Sequence, residues 1–595
     1  MNPRLVCFRL GLLLSLTAAL LSVTACAFLG LGNDDESTSP VSIAYDPQNP
    51  VIQLPTDKGR LRVTVTGLSG ANVYLVKSNG SSYDAPSGST GMIDEYSVTR
   101  SASRNADEAR TASIALADAT PPAGSVSIGG VSRRDHERAS KFRVPDDNRS
   151  RGAVDLTVAE QLAKPQDADG SYNVSTIGTS KTFYVDNGGT GSAQKWTKTG
   201  ATLRGMGLHC RVWVANDNYN VSGGEGINDS LVAQTVTYFE KLYYPETALL
   251  GYEYGGGVSA SDPTFGGADG EERVNILVYD IGFDYAGTGT QNSGVVGYFW
   301  AKDLFPQDGD PEDLVGTSVD DAMISNVGEI FYIDAHFLNT YEDIAYSTLV
   351  HEFQHMINFN QKNVRLDIAG DVPVWYNEML SLMAEDVLAE TVGIYSVNDD
   401  AHPAARMATF NLTYGVTGLT YWDYGNPLPS YAYAYAFGAY LARNHGGARL
   451  LRDLLANDAV GIPSISSALS SAGSTLDFSS AFRKFGEAVV FGNGAPTTVS
   501  TFYRSPPILD LSLPDGSTFS YQFTSFDIWD FDYLVDGWSY RGPWISKSSQ
   551  YGMKQHGVLV ESVYDLLEVW GAVTFDVIPP SDRDVTMCLM LSGAY

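Results

Sequence analysis

Hydrophobic positions along the chain change period several times, and each change marks an element. "KTFYVDN" and "LHCRVWVAND" read as strands, and "RVNILVYDI" is a continuous apolar run of the kind a strand buried on both faces carries. "INDSLVAQTVTYFEKLYYPET" has helical spacing and opens on Asn228 and Asp229, which are helix start signals. "SGVVGYFWAKD" follows a Gly-rich loop, and "GEIFYIDAHF" is a further strand just ahead of a helix over "YEDIAYSTLVHEFQHMINF". From 436 to about 492 the pattern is mostly helical. Short β-like runs occupy both ends: "VIQLP", "LRVTVTGL" and "NVYLVKS" before residue 100, and "FSYQFTSF", "HGVLVESV" and "AVTFDVI" after 500. Between them, 101–155 is charged, rich in Ser and Ala and poor in large apolar residues. The expected organisation is a small β module at 41–100, a linker or pro-region at 101–155, a central α/β unit at 156–495 and a C-terminal β module at 496–595. No repeat of fixed period occurs.

Composition narrows the class. The 595 residues are 44% hydrophobic and 18% charged, which is globular, and the length suits several domains. A net charge of −31 argues against nucleic-acid binding, which needs a basic footprint. At the N-terminus, Arg4 and Arg9 precede the apolar run Leu10 to Val23, too short for a comfortable membrane span and suited to a signal peptide. The run ends in "VTAC", which resembles the lipobox of bacterial lipoproteins. That resemblance implies a signal peptide at 1–26, lipid on Cys26, a tether at 27–40 and an exported protein anchored to a bacterial membrane, at the outer membrane or the cell surface. Of the four cysteines, Cys210 and Cys588 remain as a pair that an oxidising compartment permits.

The chemistry lies in His351-Glu352-Phe353-Gln354-His355. Ala345, Leu349, Phe353 and Met356 run along one helix face, with Val350 and Ile357 widening it, so this helix is expected to be buried. Buried His and Glu need partners. His351 and His355, four apart, project side by side and can share one tetrahedral zinc ion. Glu352 sits off that line, placed to act on water, which is the metalloprotease arrangement. The third ligand is not a nearby histidine, because Asn358 and Gln361 stand where one pattern needs glycine and histidine, and the next histidine is His402. A carboxylate is the better candidate. "VPVWYNEMLSLMAEDVLAE" reads as a second helix, started by Asp371 and Pro373, with Met379, Leu382, Met383 and Val387 on its core face. Glu378, Ser381 and Glu385 share the opposite side. Glu378 can face the two histidines, with Asp367 and Asp371 as rivals, and Glu385 can accept the free N–H of a ligand histidine.

"HEFQH" followed by "WYNEMLSLMAED" resembles the gluzincin metallopeptidases, and "STLVHEFQHMINF" with "SNVGEIFYID" is similar to their hyicolysin family of secreted bacterial endopeptidases. The resemblance spans roughly 180–490. It implies an α+β, zincin-like catalytic domain of mixed sheet, active-site helices and a helical C-terminal lobe, flanked by the small all-β modules. It implies zinc on His351, His355 and Glu378, with Glu352 as general base, acting on protein or peptide substrates. The aminopeptidase branch carries a glutamate seven residues after the ligand glutamate, matching Glu385, and a Gly-x-Met-Glu-Asn element that this sequence lacks, so endopeptidase activity is expected. That branch also uses a tyrosine in Tyr-x-x-Gly as oxyanion donor; Tyr435-Ala-Phe-Gly438 matches, with Tyr431, Tyr433 and His445 as rivals. The alternative from a different class is a lipid-anchored surface binding protein or adhesin with an inactive metallopeptidase-like domain.

Overall fold

A computed structural model gives the fold. It describes residues 41–54, 59–98, 132–134, 175–188, 193–285, 287, 293–319, 323–368, 372–535, 537–562 and 569–593. The expected signal peptide, the tether, Cys26, Asp371 and all of 101–155 except a short strand at Ser132–Arg134 lie outside these residues. Among the described residues, no helix is long and apolar enough to cross a membrane.

The architecture is mixed α+β. A six-stranded sheet forms the centre, in the order Gly297–Phe299, Ile330–Asp334, Val274–Tyr279, Cys210–Ala215, Trp196–Met206 and Ser180–Asp186. Its three inner apolar runs, at 210–215, 274–279 and 330–334, are parallel and buried at every position, as a sheet covered on both faces requires. The strand 330–334 is therefore interior. The outermost strand is Gly297–Phe299, antiparallel to it and only three residues long.

The helix Asp229–Leu250 crosses this sheet, and the Asn228 side chain caps it by accepting from the backbone N–H of Ser230 and Leu231. The motif helix Glu342–Asn358 opens with Glu342 and Asp343 in its first turn, which favours its N-terminal dipole, and is buried from Ile344 onward. The second helix is Val374–Leu388, and the helical lobe follows as Leu428–His445, Ala448–Ala456, Gly461–Ser471 and Phe478–Val490. Gly438 lets the helix 428–445 lie close on the helix 374–388: a Cβ there would sit 2.8 Å from Met383 Cγ.

The two end regions do not form separate modules. Strands at Val41–Ala44, Val51–Gln53, Leu61–Asn79 and Met92–Val98 share one eight-stranded sheet with Ser546–Lys547, Val558–Ser562, Val569–Ile578 and Val585–Gly593. The organiser is the 19-residue strand Leu61–Asn79, which the sequence pattern breaks in two. Gly67 and Gly70, at φ 79° and 80°, punctuate it, and the pairing shifts register beside them without ending the strand. Its side chains alternate between two cores: Val73 and Leu75 face a cluster with Val573, Phe575 and Leu589, while Tyr74 and Val76 join the main core, which surrounds the six-stranded sheet. Residues around 521–545, including Tyr521, Phe526, Tyr533 and Trp544, pack into that main core. The C-terminal region is thus divided between two layers. Cys210 and Cys588 are free thiols, one in each sheet.

Candidate metal centre

Two helices build the centre. The motif helix lies against the strands 297–299 and 330–334, and the second helix packs on the helix 428–445 while also touching the motif helix. Asn358, one turn past His355, donates to the side-chain carbonyl of Asn377 at 2.8 Å, so the residue before Glu378 ties the two helices together. That contact fixes where Glu378 meets the histidines.

His351, His355 and Glu378 come together as the sequence spacing suggested. One ligand atom from each lies within 4.8 Å of the others, and this is the three-residue cluster of metal-binding type found among the described residues. Glu378 Oε2 is 3.1 Å from His351 Nε2 and 3.5 Å from His355 Nε2. The two rings stand 4.7 Å apart at 83°. The second nitrogen of each ring is held from behind. His351 Nδ1 lies 2.8 Å from Glu385 Oε1, whose other oxygen accepts from Ser347 Oγ at 2.5 Å. His355 Nδ1 lies 3.1 Å from Ser381 Oγ, which in turn donates to Gln354. These contacts fix ring orientation and leave both Nε2 atoms facing the carboxylate. Asp367, at φ 48° in the connecting segment, is not part of the cluster.

The electrostatics point the same way. All three residues are 1% exposed and Glu352 is fully buried. Burial pushes the Glu378 carboxyl up, but the charge of His355 and the hydrogen bonds of both histidines overcome it and hold it at about 2. A buried cluster that keeps one carboxylate ionised between two imidazoles offers two N donors and one O donor. That set fits zinc, which takes three protein ligands and leaves a fourth position open.

The Tyr435 hydroxyl faces a different partner. Its hydroxyl donates to Asp386 at 2.9 Å, and the same carboxylate receives Arg443 at 2.9 and 3.2 Å, with His402 Nε2 at 3.7 Å. Asp386 adjoins Glu385, so this network steadies the second helix from its far side. An oxyanion donor would have to give up that bond. Tyr433 packs against Phe410 and Phe485, Tyr431 against Trp422, and His445 contacts the Tyr440 hydroxyl at 3.0 Å. Sequence spacing held no sign of Asp386 and Arg443, because their pairing depends on how helices dock.

A further buried carboxylate escaped the sequence reading. Glu246, on the helix 229–250, is fully buried, and neither of its oxygens has a hydrogen-bond partner among the described residues. Burial and neighbouring Glu253 push its carboxyl well above the usual range, while nearby His351 works against them. Its position in "YYPET", where the apolar pattern continues on both sides, gives no distinguishing signal.

Comparison with known proteins falls on this half of the chain. Residues 212–504 match the Peptidase M30 family. The neutral metalloprotease ShpI of Staphylococcus hyicus is 29% identical over 273 residues, covering 44% of this chain and 52% of that protein. The chain therefore spans about half the length of the curated relative it matches. The matched stretch contains the motif helix, the second helix and the helical lobe, and leaves out the sheet made from the two chain ends.

Proposed function

We propose that this chain is a zinc-dependent endopeptidase of zincin-like fold and gluzincin type, acting on protein or peptide substrates outside the cytoplasm. The observation that carries the reading is the meeting of His351, His355 and Glu378 beside buried Glu352. The peptidase family match and the metalloprotease relative support it. Export and a lipid anchor at Cys26 belong to the same proposal and rest on the "VTAC" sequence.

His351, His355 and Glu378 would hold the ion. Zinc, when bound, supplies a Lewis-acid charge that polarises a scissile carbonyl and makes water a better nucleophile. Glu352 takes the proton of the attacking water and passes it to the leaving amine. Glu385 keeps the His351 ring turned with Nε2 towards the ion, and Ser381 does the same for His355. An extended substrate adds along Gly297–Phe299, the edge strand of the central sheet that lies against the motif helix. Tyr435 is read as a positioning residue that holds Asp386.

The test is Glu352→Gln. It should keep zinc, melt with the wild type and lower casein cleavage by about 10²–10⁴-fold. Cleavage at the wild-type rate by the zinc-loaded variant would overturn the assignment.

A further inference from the structure

The helix 428–445 ends at a cavity of about 400 Å³ that none of the metal-centre residues lines. Its walls come from the end of that helix, from the helix 478–490 and from the segment 497–507. Lys484, Arg504 and His445 line it together with the hydroxyl residues Thr497 and Ser505, and no Asp or Glu lines it among the described residues. In a chain of net charge −31, a concave surface with cationic side chains and no carboxylate is a local reversal of sign.

The contacts show how much of this charge is already used. One nitrogen of Arg504 donates to the carbonyls of Pro496 and Val499 at 2.5 and 2.8 Å, which pins the loop. Its remaining N–H groups make no hydrogen bond among the described residues, so part of the guanidinium fork is available. Lys484 reaches Glu487 at 3.2 and 3.3 Å, long for a charge-assisted contact, and Glu487 also accepts from the Ser500 backbone N–H at 2.8 Å. The His445 imidazole is pushed down to about 4 by burial and then by the charge of Lys484.

We propose that this cavity is an oxyanion-binding site, taking a phosphate, sulfate or carboxylate group between Lys484 and Arg504 with the hydroxyls of Thr497 and Ser505 as further donors. Its volume suits a small ligand or a chain terminus. The site is separate from the metal centre and does not depend on peptidase activity.

The test is a titration of the full chain with inorganic phosphate, followed at the His445 ring resonance by NMR, which reads this cavity and not the zinc ligands. His445→Gln assigns the resonance. The wild type should show saturable one-site shifts and a rise in the His445 pKa as the anion binds. Lys484→Gln, at a side chain 37% exposed, should fold normally and weaken binding about tenfold, as loss of one charge-assisted contact implies. Absence of saturable shifts, or equal affinity in Lys484→Gln, overturns the site. A second titration with N-acetyl-dialanine, free acid against amide, distinguishes sources. Displacement of phosphate by the acid alone assigns a peptide C-terminus, and no displacement assigns a free oxyanion.

Discussion

In the metal centre, His351 meets Glu385 across two neighbouring helices; in the terminal sheet, Lys77 meets Glu561 across strands from opposite ends of the chain. Both contacts are 2.8 Å long and buried, yet the carboxylates Glu378 and Glu561 of the two regions are shifted in opposite directions. At the centre, burial raises Glu378, but two histidines outweigh it and the carboxylate stays ionised. In the sheet, burial wins on both sides: it lowers Lys77 and raises Glu561, and their mutual attraction offsets this only in part. A buried pair of that kind adds little net stability but is costly to break. The centre keeps a carboxylate ionised among imidazole nitrogens, a donor set a cation can use. The sheet spends its charges on each other, with the Ser549 carbonyl as a further acceptor for Lys77, and so fixes which strands meet.

Breaking the sheet contact tests this contrast most strongly. Lys77→Met leaves Glu561 buried without its partner and should destabilise the chain by about 3–5 kcal/mol. Urea unfolding would measure it, and adding Glu561→Leu should recover much of the loss. Zinc bound per folded molecule should not change. Loss of zinc in the folded fraction of Lys77→Met would mean that the two regions are one energetic unit, and the comparison would fail.

Glu385→Gln reverses the experiment. Glutamine keeps the size and can still accept from His351 Nδ1–H, but it removes the charge behind the ring. Zinc affinity should fall about 10–100-fold. A competition titration against a chelating indicator reads this directly, while the melting temperature of the zinc-free protein should move little. A variant with wild-type affinity and a lowered melting temperature would make Glu385 a packing residue and nothing more.

The two regions also differ in how far the sequence discloses them. His351 and His355 are legible because helix geometry places residues four apart on one face; spacing leaves Asp367 and Asp371 beside Glu378 as carboxylate candidates, and the family resemblance singles out Glu378. Nothing local shows that Val65 pairs with Val573 or Leu75 with Leu589, since strand pairing over such distances leaves no mark in either segment. Gly67 and Gly70 misdirect the reading by punctuating one long strand. The short strand Gly297–Phe299 is too brief for a period, so nothing in its sequence shows that it borders 330–334 at the edge of the central sheet. Tyr435 fits a motif by spacing, but its hydroxyl belongs to Asp386, a partner set by the docking of the helices 374–388 and 428–445.

A pH-dependent effect sharpens the comparison by adding a carboxylate with neither arrangement. Glu253 follows the helix 229–250; one oxygen accepts from the Tyr243 hydroxyl at 2.8 Å, and the other has no partner among the described residues. Burial raises its carboxyl to about 7, with the Tyr243 hydrogen bond acting in the opposite direction. Between pH 4.5, near the ordinary glutamate value, and about 7, the folded chain keeps this proton and the unfolded chain has lost it. Stability from this group therefore falls as pH rises through that window, by up to about 1.4 kcal/mol per pH unit, and is level on either side. Glu253→Gln keeps the acceptor for Tyr243 and removes the titration. Its unfolding free energy should match the wild type near pH 4 and exceed it increasingly towards pH 7. Parallel curves for the two proteins across that range would mean that the folded chain holds Glu253 ionised, as it holds Glu378, and the contrast between compensated and uncompensated carboxylates around the central sheet would fall.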